Sequence, residues 1–189
     1  MKTPEVQRIA GELAGIGHTL SSFDQLGIAD FEALAVDLRS VVAQNEQFSP
    51  EQAALRTGMV MCKDPLSKEA GRRMVRPVLA ALFADKPAAL EGWDMYTVNH
   101  YQTGDFYPSH QDYVNGTVVV ITAEGERLIE VYDKELEDDV FRTVNTTYEL
   151  RPGSILVLNG FMDIGHTATC TLGPSISVVG DVPELPSAA

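Results

Sequence analysis

Cysteine is nearly absent from this 189-residue chain: Cys62 and Cys170 stand far apart and form no C-x-x-C spacing. That excludes a disulfide scaffold and a zinc ribbon, and leaves two reduced thiols as small buried hydrophobes. Basic residues are scarce too, with 14 Lys and Arg against 27 Asp and Glu, a formal net charge of −13. Such a surface repels phosphate backbones and disfavours nucleic acid as a partner. No apolar run approaches the roughly 20 residues that cross a bilayer. The opening MKTPEVQRIAGELAG lacks the apolar core and cleavage site of a secretory signal. A soluble cytoplasmic protein with no membrane partner is the expectation. Internal repeats and low-complexity segments are also missing, so residues 1–189 read as one globular domain, long enough to bury a core without staples.

Hydrophobic periodicity divides the chain. Over residues 1–92 it is helical: Val6, Ile9, Ala10 and Leu13 form one stripe, and Phe31, Leu34, Ala35, Leu38 and Val41 a second. A third helix is expected from Ser67 to about Ala84, with Met74, Val75, Val78, Leu79 and Leu82 on one face and Pro77 kinking it or fixing its start. Leu55 to Cys62 reads as a strand between helices. From residue 93 the texture changes to short β-branched and aromatic runs broken by Gly, Pro and Asn, the pattern of many strands. Strands are expected near 93–101, 117–123, 127–133, 143–150, 154–159 and 174–181. Arg151-Pro152-Gly153 is a turn launching the nearly all-apolar Ser154 to Leu158. Lys134 to Asp139, six residues with five charges, reads as a solvated loop, and Pro183 to Ala189 as a frayed tail.

Within the strand-rich part lie His110, Gln111 and Asp112, and far downstream His166. Residues i and i+2 of a strand project to the same side, so His110 and Asp112 can converge while Gln111 faces away. Two imidazoles and one carboxylate on one face of an octahedral iron leave positions free for a cosubstrate and O2, the ligand set of non-heme Fe(II) oxygenases. Taken alone, H-x-D is a weak signal whose plainer reading is a surface histidine beside an aspartate.

Its surroundings sharpen it. Asn99-His100-Tyr101-Gln102-Thr103-Gly104 precedes His110 and Asp112, and Pro152-Gly153 precedes a buried strand and His166. In this order the motifs N-x-Y-x-x-G, H-x-D and P-G-strand-loop-H resemble the Fe(II)/2-oxoglutarate-dependent oxygenases, in particular the AlkB-like and prolyl-hydroxylase-like branches, over residues 93–181. The resemblance implies an α+β fold: a double-stranded β-helix (jelly roll) core over 93–181, with the N-terminal helices of 1–92 packed on one sheet. It also implies His110, Asp112 and His166 as the iron ligands and catalytic set, and Asn99 and Tyr101 as contacts to 2-oxoglutarate. In that family, oxidative decarboxylation of the keto acid gives succinate, CO2 and an oxidant that takes hydrogen from the substrate, in a pocket that excludes water.

One element of the pattern fails. The family places an arginine after the second histidine, in a segment reading G-x-R-x-S, where it forks onto the distal carboxylate of 2-oxoglutarate. Here the segment is Gly173-Pro174-Ser175-Ile176-Ser177. Ser175 stands where the arginine belongs, and a hydroxyl supplies no charge to a buried carboxylate; Ser175 and Ser177 stay among the cosubstrate-binding candidates. Arg127, at the start of a core strand, is the leading replacement, ahead of Arg142 and Arg151, and the plainer reading of each is an exposed strand-end charge. The departure leaves open a rewired 2-oxoglutarate site, another cosubstrate or none, and a noncatalytic relative that kept its metal.

Other side chains have competing readings. Tyr96, Phe106, Tyr107, Tyr113 and Phe161 either line a substrate pocket or fill core, with Tyr107 and Tyr113 the better pocket candidates. His100, out of phase with Asn99 and Tyr101, belongs to the other sheet face, and His18 reads as a helix-end cap or an exposed residue. Asp163 either orients His166 or is solvated. The leading reading is a dioxygenase using Fe(II) and 2-oxoglutarate to hydroxylate a small molecule or protein side chain, with O2 as the other reactant. A cosubstrate-independent iron dioxygenase, a nucleic-acid demethylase and a noncatalytic metal-retaining β-helix binding domain are the alternatives. Substrate and oligomeric state have no signature in the sequence.

Overall fold

The computed structural model describes residues 2–44, 60–62, 64–91, 96–111, 115–134, 141–162 and 164–187. In chain order the elements are α1 (Pro4–Gly15), β1 (His18–Ser22), α2 (Phe31–Gln44), β2 (Val60–Cys62), α3 (Pro65–Leu82), a 3-10 turn (Pro87–Leu90), β3 (Tyr96–Tyr101), β4 (Phe106–Gln111), β5 (Thr117–Lys134), β6 (Phe141–Leu150), β7 (Ser154–Asn159) and β8 (Ile164–Val182). No described helix is long and apolar enough to cross a membrane.

Local chemistry starts the helices. Thr3 caps α1 by accepting from the Val6 amide, with Pro4 at the first helical position, where its missing N–H costs nothing. Asp64 caps α3 by accepting from Leu66 and Ser67, again ahead of a proline. Pro65, not Pro77, is thus the start-setting proline, and α3 continues through Pro77 because the buried Met74, Val75, Val78 and Leu79 hold its apolar face down. The stripes of α1 and α2 bury Val6, Ile9, Leu13, Ala35 and Leu38, and with α3 they cover one face of the sheet at Val98, Val119, Ile121, Val157 and Val178. Each fully buried aliphatic chain contributes roughly 1.5–3 kcal/mol. Gly71 permits the close seating of α3 on β3, since a Cβ there would lie 2.6 Å from Val98 Cγ2.

Among the described residues the sheet is antiparallel and eight-stranded, ordered β1-β7-β5-β8-β3-β2, with β6 on β5 and β4 on β8. Its two long strands each serve twice. The first part of β5 pairs with β7 and with the end of β8, and its second part pairs with β6 and with the start of β8. Register shifts between Thr122 and Arg127 mark the change of direction. Gly125 makes the bend possible: its φ is +70°, and a Cβ would lie 2.5 Å from Leu172 O and 2.6 Å from Pro174 O. Beyond the bend the two halves face each other, packing Val118, Val120, Leu156 and Leu158 against Ile129, Val131, Leu150 and Ala168.

The expected strands at 117–123 and 127–133 are therefore one bent strand, and the strand expected at 174–181 is the end of β8. Strand β4 and the first half of β8 had no counterpart among the expected strands. The strands expected from Leu55 and from residue 93 begin at Val60 and Tyr96, and 55–59 and 93–95 lie outside the described residues. Lys134 ends β5, and the rest of the acidic stretch is outside them too. The turn at Arg151 forms, with Ser154 N donating to Arg151 O at 2.9 Å and Gly153 at φ +87°.

Two expectations are corrected. His18 is neither a cap nor exposed: Gly17 turns the chain at φ +81°, and β1 pairs with β7, leaving His18 buried and hydrogen-bonded through Nδ1 to Tyr148 Oη at 2.8 Å. The tail is not frayed through Ser187, because Lys86 Nζ donates to Leu185 O at 3.0 Å, Thr117 Oγ1 to Glu184 O at 2.5 Å and Lys2 Nζ to Ser187 O. Backbone carbonyls, which the side-chain composition of the tail does not advertise, hold it down.

Candidate active site

Register brings the two motif histidines together. His110 on β4 is the cross-strand partner of His166 on β8, and their ring centroids are 4.2 Å apart. His110 Nδ1 lies 2.9 Å from Pro108 O; a carbonyl only accepts, so Nδ1 is the donor there and Nε2 is the ring nitrogen that would meet a metal. Burial pushes His166 down to about 4, so near neutral pH its imidazole is uncharged, the form that ligates. Asp112 lies outside the described residues, and among the described residues no third His, Cys, Asp or Glu completes a ligand group with this pair. Two adjacent imidazoles, with a carboxylate two residues along the chain from one of them, fit a divalent transition metal.

Both histidines line a pocket of about 200 Å³ between the two sheet halves, together with Asn99, Tyr101, Tyr107, Arg127 and Asp181. At ~30 Å³ per water it has room for about seven waters, the scale of a small metabolite. A wider groove of about 640 Å³ runs outside α3 past Arg72, Arg76 and Phe83. Its lining carries Arg72, Arg76 and Glu91 but no histidine, so the smaller pocket, which holds both motif histidines, is the candidate site.

Arg127 overturns the exposed strand-end reading. It is only 2% exposed, its Nη2 donates to Thr122 Oγ1 at 2.8 Å, and its guanidinium carbon lies 5.5 Å from the centroid of the Tyr101 ring. Among the described residues its Nε has no hydrogen-bond partner and no carboxylate lies within ion-pair distance. Burial lowers its pKa, against the pull of Tyr101 and Cys170. A buried cation without an anion is costly, and an anionic ligand in this pocket would offset that cost. Arg151 is on the surface, beside Glu126 and Glu149. The side chain of Arg142 is outside the described residues.

The remaining candidates separate. Asn99 faces the pocket, and its buried Oδ1 has no partner among the described residues. Ser175 and Ser177 are buried in β8 but do not line the pocket: Ser175 Oγ donates to Glu124 O at 2.8 Å, and Ser177 sits in register with Asn99. Tyr107 lines the pocket; Phe106 and Phe161 are exposed, at 42% and 57%. Tyr113 and Asp163 lie outside the described residues. His100, half-buried, is absent from the lining, and Cys170 packs with Tyr101 as a buried thiol whose pKa burial raises. Met61, Thr97 and Asp181 line the pocket unanticipated. The alternation Ser175, Ser177, Val179, Asp181 along one strand face was the available signal for the last of these.

No family model matches the chain, and no curated protein sequence matches it. Solved structures do. A prolyl-4-hydroxylase from Pseudomonas putida superposes with a TM-score of 0.60 at 19% identity, over 95% of this chain and 98% of that one. A prolyl hydroxylase from Trichoplax adhaerens, solved with a peptide fragment of the hypoxia inducible factor oxygen degradation domain, gives 0.64 at 13% identity, over 94% and 90%. At such identities the likeness speaks for architecture, and the chain shares the oxygenase-like fold of these prolyl hydroxylases.

Proposed function

We propose that this chain is an iron(II)- and 2-oxoglutarate-dependent dioxygenase, built on a double-stranded β-helix, that hydroxylates a protein side chain or small molecule. The observation that carries the reading is Arg127: a buried cation without a carboxylate partner among the described residues, in the same pocket as the paired histidines. His110, His166 and Asp112 would hold the metal, which supplies the redox centre where keto acid and O2 are consumed as an oxygen atom enters a C–H bond. Arg127 takes the distal carboxylate by a charge-assisted fork, in place of the arginine that Ser175 replaces. Asn99 offers its amide to the same ligand, and Tyr101 packs beside the guanidinium. Apolar Val120, Ile129, Leu156 and Ala168 exclude water around it. Because Arg127 supplies the charge, Ser175 no longer argues for a cosubstrate-independent reaction. The peptide-bound prolyl hydroxylase of the same fold favours a peptide substrate.

The test is anaerobic addition of Fe(II) and 2-oxoglutarate to apoprotein, reading the visible metal-to-ligand charge-transfer band of the chelate. The expected result is a band in the wild type, none in Asp112→Ala, and a dissociation constant for 2-oxoglutarate raised at least roughly tenfold in Arg127→Met. Iron binding without a band would reject 2-oxoglutarate as cosubstrate.

A further inference from the structure

Because β5 and β8 are partners through the bend, depth on one wall of the pocket can be read against depth on the other. Thr122 and Arg127 flank the bend and touch. Four residues further from the bend on each side stand Val118 and Val131, and their partners on β8 are Asp181 and His166. At ~3.3 Å per residue each pair lies about 13 Å from its end of the bend. Asp181 is therefore level with His166 and, through the β4 register, with His110. All three line the one pocket, where Asp181 is the single acidic residue among the described lining. The two ends also differ in access: Arg127 is 2% exposed, whereas Asp181 is half-buried and Thr97 beside it is exposed. A cation thus closes the inner end and a carboxylate stands at the open end.

We infer that Asp181 selects substrates carrying a cationic group, a protonated amine or guanidinium, and holds that group at the histidine end of the pocket. The reaction performed there rests on the proposed function; the charge selection needs only the pocket. A carboxylate at the mouth favours a cation and rejects an anion, while Met61 and Thr97 offer uncharged contacts to an aliphatic stem. The field of a chain at −13 acts in the same sense at long range, concentrating cations near the opening. With the anionic site at the far pole, an anion and a cation occupy the pocket together without repulsion.

Three probes test this: N-acetyl-lysine methylamide, its uncharged counterpart N-acetyl-norleucine methylamide, and N-acetyl-glutamate methylamide. Each is titrated into anaerobic protein loaded with Fe(II) and 2-oxoglutarate, following the charge-transfer band, and into metal-free protein, following amide NMR shifts. The lysine probe is expected to bind at least roughly tenfold tighter than the norleucine probe, with the glutamate probe weakest. The preference should vanish in Asp181→Asn and persist in Asp181→Glu. Pentylamine as a second cation reports whether charge alone suffices or a peptide-like body is needed, and an Asp181-dependent preference with either cation supports the inference. Equal binding of the lysine and norleucine probes would overturn it, as would a preference that survives Asp181→Asn. Loss of Fe(II) binding in Asp181→Asn would also overturn it, by making Asp181 a metal ligand. If no charge-transfer band forms but metal-free protein keeps an Asp181-dependent preference for lysine, the dioxygenase reading fails and this inference stands.

Discussion

Arg127 and Thr122 stand on either side of the bend in β5, and the hydrogen bond between them, 2.8 Å from Nη2 to Oγ1, ties the two sheet halves together at the closed end of the pocket. One side chain thereby braces the bend and, under the proposed function, presents a charge to the cosubstrate, and these two roles respond differently to mutation.

Arg127→Met should leave the ligand-free protein as stable as the wild type or more so, by up to about 4 kcal/mol, because a buried charge gives way to an apolar chain of similar length. The same variant should lose the stabilisation that 2-oxoglutarate confers, which at a hundredfold excess over the dissociation constant is about 2.7 kcal/mol. Thermal melting with and without the diacid checks both signs. A strongly destabilised ligand-free variant would show that Arg127 serves the fold first.

Gly125→Ala should cost about 2–5 kcal/mol, combining a left-handed backbone with a Cβ driven against the carbonyls of Leu172 and Pro174. A urea midpoint unchanged by this substitution would contradict the tight bend.

Stability should fall on the acid side through the junction of α1 and β1. Glu5 is held below the usual carboxylate range chiefly by its hydrogen bond from Arg8, aided by Ser21, and Glu12 chiefly by its hydrogen bond from Thr19, aided by Arg8; burial opposes both. A lowered folded-state pKa contributes stability that is fully present above the unfolded value of about 4.3 and is lost as pH falls through the folded value. Arg8→Met should therefore flatten the decline in urea midpoint between roughly pH 5 and 3, with the largest difference from wild type near neutral pH. An unchanged acid limb would count against this network.

Tyr148→Phe should cost roughly 1 kcal/mol by removing the hydroxyl bonded to His18, with the edge-to-face ring contact retained. Chemical denaturation measures it, and a neutral result would mean that water replaces the bond.

What could be read in advance was set by periodicity and by motif order. The apolar stripe of Val6, Ile9 and Leu13 and the set Met74, Val78 and Leu82 are buried in the structure, because a helix cannot hide such a stripe except against a partner. Arg127 was singled out as a candidate through the misfit at Ser175, although its burial was not foreseen, since nothing local distinguishes a strand-end arginine facing in from one facing out. Strand β1 escaped notice because its short run, with two serines and a threonine, is held mainly by long-range pairing with β7. Asp181 escaped because the carboxylate sought was one two residues from a histidine, whereas cross-strand register decides which distant residue faces the pocket.

The doubling of β5 and β8 gives the pocket a length scale. Arg127 and Val131 lie on one strand, and their partners Cys170 and His166 on the other, so the span from guanidinium to imidazole is counted in residues of a hydrogen-bonded ladder, with no loop in between. A ladder stretches little, so under the proposed function a diacid one carbon longer than the span would have to buckle and one carbon shorter would have to release an end. In that reading, discrimination by chain length would follow from strand pairing, and a slip of one residue would turn Arg127 outward and erase it.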